Sequence, residues 1–135
     1  MSEKQSIFQR EIKLGKSFPD KAKENFYTEF SSLLESGIDI QRALSILIEE
    51  QESKRINEIL SSVLKDLVGG SSLGEALEKT GNFSAYEYQS IRIGEETGRL
   101  QIILSHMADY FTNKVKLRKR RPLNCILLTT RCFFC

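Results

Sequence analysis

Apolar residues recur along most of this chain at helical spacing, and short polar strings carrying glycine interrupt them. Pro19 and Asp20 mark a helix start, and Phe26, Phe30, Leu33 and Leu34 form one face of a helix that runs to about Glu35 and ends at Gly37. Asp39 is placed to cap a second helix bearing Ile40, Ala43, Leu44, Leu47 and Ile48, which lasts until the charged break EEQESKR. A third carries Ile56, Ile59, Leu60, Val63, Leu64 and Leu67 on one stripe and stops at Gly69 and Gly70. Ser72 with Glu75 and Ser84 with Glu87 have capping-box spacing. The first box opens a short helix through Leu73, Ala76 and Leu77 that Gly81 closes. The second opens a helix carrying Tyr86, Ile91 and Ile93 toward Gly94. Gly94 and Gly98 are expected to bracket a tight corner, and a longer last helix then presents Leu100, Ile103, Leu104, Met107, Ala108 and Phe111.

With 135 residues, 40% of them hydrophobic, the chain can build one core but hardly two. Period-two runs of β-branched and aromatic residues are missing, so these amphipathic stripes must bury against one another. The prediction is an all-α fold: a compact antiparallel bundle of about six helices, with Leu64 and Leu104 among its core positions. Residues 1–18 lack a strong period and read as a flexible arm, 19–121 as the helical domain, and 122–135 as an atypical tail. The polar start MSEKQSIFQREIKLGKSF lacks the unbroken apolar stretch of a secretory signal, so the domain is expected to face the cytosol.

Charge is segregated. The formal net charge is +2, but Lys114, Lys116, Arg118, Lys119, Arg120 and Arg121 contribute six positives, which leaves −4 for everything else. Such a run suits nucleic-acid phosphates, lipid headgroups or the cytoplasmic flank of a membrane span, and equally the negative end of a helix dipole. The tail after Pro122 is interrupted by Arg131 and falls short of the roughly 20 apolar residues a spanning helix needs.

Candidate chemistry is sparse. Cys125, Cys132 and Cys135 all lie in the tail, and the CxxC spacing of the last two has no second pair to complete a zinc site. His106 is the only histidine and has no nucleophile beside it. The corner GEETG lacks the Lys and Ser or Thr of a phosphate loop; Glu95 and Glu96 could hold a divalent cation or a basic partner residue, or simply be a solvated corner. No catalytic group, cofactor or metal site is assigned.

Three segments then resemble one family: FYTEFSSLLESGIDIQRALSIL, LVGGSSLGEALEKTGNFS and IRIGEETGRLQIILSHMADYFTNKVKLRKR, together covering roughly Asp20 to Arg120. Their order is similar to that in the repeated cytoplasmic domain of the inner-membrane platform proteins of type II secretion systems and type IV pili, the GspF/PilC family. The resemblance implies a non-catalytic scaffold that engages the cytoplasmic assembly ATPase and other platform components, forms homo-oligomers and supports pseudopilus or pilus assembly. It also implies that the basic run lies next to the membrane on the cytoplasmic side, and that residues 122–135 replace or truncate a transmembrane segment. The charged residues of the two turns, Glu95, Glu96 and Arg99 with Glu35 and Asp39, are the expected partner contacts. The alternative from another class is a small helical nucleic-acid-binding module, with Lys114 to Arg121 tracking phosphates; no interleaved recognition helix precedes that run.

Overall fold

The computed structural model describes residues 18–134, with side chains described through Lys119. Six α-helices follow one another among these residues: α1 Asp20–Glu35, α2 Ile40–Glu50, α3 Lys54–Val68, α4 Leu73–Thr80, α5 Ala85–Thr97 and α6 Leu100–Phe134. Helices adjacent in sequence pack together from α1 through α6, and α1 also lies along α6, which closes the bundle. No strand is present among the described residues, so the all-α fold class holds.

Local sequence sets most of the boundaries. Both capping boxes form: Ser72 accepts from the Glu75 amide, Ser84 from the Glu87 amide, and each glutamate reaches back to the amide of its serine. Asp39 does occupy the N-cap of α2, but without a side-chain hydrogen bond to the helix. The corner after α5 is the main correction. The helix does not end at Gly94; it continues to Thr97, and the reversal falls at Gly98, whose φ of +69° is left-handed. Gly94 is instead a buried helical residue. A Cβ built there would sit 3.0 Å from Ile103 and 3.2 Å from the Leu100 backbone, so its missing side chain lets α6 fold back tightly on α5.

The core is where the predicted stripes meet. Phe26, Phe30 and Leu34 of α1, Ala43, Leu44 and Leu47 of α2, Ile56, Leu60 and Val63 of α3, and Leu104, Met107 and Phe111 of α6 are all buried. Leu64 is only partly buried at the edge of this cluster, unlike Leu104, which is fully enclosed. Phe18, assigned to the arm, is buried against Phe26 and Phe83 with ring centroids 6.0 and 5.3 Å away; the rest of the proposed arm, 1–17, lies outside the described residues. Tyr27 stacks on Phe111 at 5.5 Å and joins α1 to α6.

Charge also enters this core. Glu87 is 1% exposed and Lys23 is 6% exposed. Lys23 Nζ donates to Glu87 Oε2 at 2.8 Å, and Tyr27 Oη donates to Oε1 at 2.8 Å. The Ser84 amide and hydroxyl donate to Oε2 at 2.7 and 2.8 Å. The ammonium also lies over the rings of Phe83 and Phe111, at 5.0 and 5.5 Å from their centroids. A buried carboxylate is tolerated only when paired and hydrogen-bonded, and this one has four donors. Burial, then the Glu87 charge and its hydrogen bond, push the Tyr27 hydroxyl well above the usual tyrosine range.

Candidate partner-binding site

Two turns meet at one end of the bundle: the α1–α2 turn, which follows Glu35, and the α5–α6 corner at Gly98 and Arg99. A hydrogen bond from Gln101 Nε2 to the Leu34 carbonyl at 2.8 Å ties them together, adding a second donor to a carbonyl that already accepts the Gly37 amide at 3.0 Å. Between them is a groove of about 560 Å³. Leu34, Ile38, Ile40 and Leu100 supply its apolar lining, Asp39 and Glu95 its carboxylates.

The structure therefore brings Asp39 and Glu95 onto one surface, although three whole helices, α2 to α4, separate them in sequence. They are not equivalent. The Glu95 carboxylate accepts the backbone amides of Leu73 at 2.6 Å and Gly74 at 3.1 Å, so it anchors the first turn of α4, where the helix dipole favours an anion. Glu35, Asp39, Glu96 and Arg99 are exposed, and none of the four makes a side-chain hydrogen bond or ion pair with another described residue. Glu95 is thus an internal clamp that also faces the groove; the other four are available to a partner.

The basic run extends along α6, away from this end. Lys114 and Arg118 pair with Asp20 at the start of α1, at 3.4 and 2.9 Å, and Lys114 also lies over Tyr110 and Phe111. Lys116 and Lys119 are exposed. The side chains of Arg120, Arg121 and the three tail cysteines lie outside the described residues, while the backbone of the proposed tail continues α6 to Phe134. Among the described residues, no helix is long and apolar enough to cross a membrane, and no cluster of three or more His, Cys, Asp or Glu is arranged to hold a metal ion. His106 is exposed on α6.

Two further depressions lie away from the turns. One, of about 230 Å³, is lined by Phe26, Leu47 and Leu60 with Glu29, Glu50 and Glu52; burial and the neighbouring Glu50 raise the Glu29 carboxyl above the ordinary glutamate value. The other, about 480 Å³, lies between α2 and α3 along Ile48, Leu64 and Val68. Tyr86 and Ile93, expected on the apolar stripe of α5 beside Ile91, are instead exposed, as are Ile102, Tyr110 and Leu117 of α6, which the predicted stripe passed over, and Tyr86 and Tyr110 stand 5.5 Å apart. For Ile102, Tyr110 and Leu117 the signal was present: they fall outside the buried stripe of α6, where an amphipathic helix should be polar.

Comparison with known proteins places the chain. The family model for type II secretion system (T2SS) protein F matches residues 26–126. The type IV pilus assembly protein PilC of Thermus thermophilus is 33% identical over 93 residues, which are 69% of this chain and 23% of that protein. Type II secretion system protein F of Xanthomonas campestris is 30% identical over 113 residues, 83% of this chain and 28% of that protein. A protein transport protein HofC homolog of Haemophilus influenzae is 27% identical over 93 residues, 68% of this chain and 23% of that protein. The chain spans about a quarter of the length of these relatives. A match that begins within α1 and runs through the two turns into α6 shows that this chain belongs to the type II secretion system protein F family, the GspF/PilC family of secretion and type IV pilus assembly proteins.

Proposed function

We propose that this chain is a non-catalytic scaffold domain of an inner-membrane platform protein, held on the cytoplasmic side, where it engages the assembly ATPase and other platform components during pseudopilus or pilus assembly. The observation that carries the reading is the polarity of α6. Its first turn borders the groove that holds Asp39 and Glu95, while Lys116 lies about 24 Å further along the axis at helical rise. With Lys114, Lys116, Arg118, Lys119, Arg120 and Arg121 next to anionic headgroups, the groove is presented outward, toward cytoplasmic proteins. Partner contacts are assigned to Glu35, Asp39, Glu96 and Arg99, with Glu95 holding the groove wall in place. The exposed apolar face of Tyr86, Ile93, Ile102, Tyr110 and Leu117 supports self-association of the parent protein.

A nucleic-acid-binding role draws less support, because no recognition helix with interleaved Arg, Asn and Gln precedes the basic run. The two readings separate in one experiment: titration of the chain against the assembly ATPase of the same system at several salt concentrations, with bulk DNA in parallel. Saturable ATPase binding that Asp39→Arg and Glu96→Arg weaken is expected. Binding to DNA alone, with steep salt dependence, would reverse the assignment.

A further inference from the structure

We infer that the groove between the two turns receives a basic, apolar segment of its partner: a peptide that places aliphatic side chains on Ile38 and Ile40 and Lys or Arg on the carboxylates of the lining, Asp39 above all. This rests on the reading above for its location and adds the chemistry of what binds there.

Three observations argue for that occupant. Leu34 and Leu100 in the groove wall are already buried, but Ile38 of the α1–α2 turn and Ile40 of α2 are only partly so, a surface that gains from covering by other aliphatic groups. Its glycines, Gly37 and Gly98, have open space where a Cβ would be, so an incoming backbone can approach closely. The charge in its lining is one-sided: Asp39, exposed and unpaired among the described residues, and Glu95 are its charged residues, and among the described residues no Lys or Arg lines it. An acidic or purely apolar partner would leave these carboxylates repelled or desolvated, whereas a cationic one pairs with them and gains in encounter rate.

The test uses the whole chain and a fluorescein-labelled synthetic peptide of leucine and lysine at helical spacing, with a leucine and glutamate peptide as control, read by anisotropy. Saturable binding of the lysine peptide alone is expected. It should be weakened about threefold by Asp39→Asn, one rim charge pair of ordinary strength, and weakened separately by Ile38→Ser, which leaves the charge unchanged. Circular dichroism of each variant checks that the helices persist. Equal binding of the lysine peptide to wild type and both variants would mean diffuse attraction and would overturn the inference. Self-association in sedimentation that Asp39→Asn abolishes, without peptide binding, would give the groove to a second copy and overturn it too. ATPase binding without peptide binding sinks the inference and leaves the functional reading standing; peptide binding without ATPase binding does the reverse.

Discussion

Lys23 and Glu87 are 64 positions apart in sequence, and their side chains meet at 2.8 Å in the interior, with Tyr27 and Ser84 completing the shell around the carboxylate. This pair joins the first turn of α1 to the first turn of α5. Glu87 therefore serves twice, as the third residue of a capping box and as the anion that neutralises a buried ammonium.

Removing one partner should cost far more than removing both. Lys23→Ala or Glu87→Ala each leaves a buried charge without its counterion and should lower unfolding free energy by about 3 to 5 kcal/mol in urea titrations. The double replacement Lys23→Met with Glu87→Leu should recover much of that loss, offset by about 1 kcal/mol for the broken capping box. A double variant less stable than the sum of the two single ones would refute this account of the pair.

Tyr27 gives the network a signature at alkaline pH. Its hydroxyl titrates higher in the folded state than the ordinary value of 10.0, so its contribution is fully present below the unfolded pKa and is lost as pH rises through and beyond that value. Stability measured from neutral pH up past 10.0 should fall more steeply for wild type than for Tyr27→Phe, which lacks the titrating group. Parallel curves would mean that the phenol titrates alike in both states.

Glu95 should behave as a structural clamp. Glu95→Ala removes the acceptor for two amides at the start of α4 and should cost about 1 to 2 kcal/mol. Glu95→Gln, which keeps an acceptor oxygen, should cost less. Amide exchange at Leu73 and Gly74 provides the local readout: it should accelerate in Glu95→Ala ahead of the rest of α4, and unchanged protection there would remove the clamp.

Leu104 and Leu64 belonged to similar stripes, but the structure ranks them. Leu104→Ala opens a cavity at a fully buried site and should cost about 2 to 5 kcal/mol, while Leu64→Ala, at the groove between α2 and α3, should cost clearly less. Thermal or denaturant unfolding of the two variants side by side decides it; equal losses would place Leu64 inside the core.

Signals spanning a few residues were readable from the chain alone. Ser72 with Glu75, Ser84 with Glu87, and the left-handed glycines 37, 70, 81 and 98 act on their own turns, and the resulting helices match the hydrophobic period closely. Gly94 misled because its reason for being glycine is contact with Ile103 and Leu100 of the next helix, and a stop signal and a packing signal look identical in sequence. For the same reason Lys23 and Tyr27 gave no hint of burial: a polar residue on a helix reads as solvated until its partner is known.

The site divides in the same way. Sequence by itself determined that charged turns would end α1 and α5, because capping and chain reversal are local physics, and it determined the basic run of α6 and the family pattern. Only the tertiary structure decided that those two turns share a groove, that Glu95 is spent on the amides of α4 while Asp39 and Glu96 remain exposed, and that Lys114 and Arg118 face Asp20. Each of those outcomes depends on how separate helices pack across the core, and packing between distant segments is set by the summed burial of whole faces rather than by any one stretch of chain.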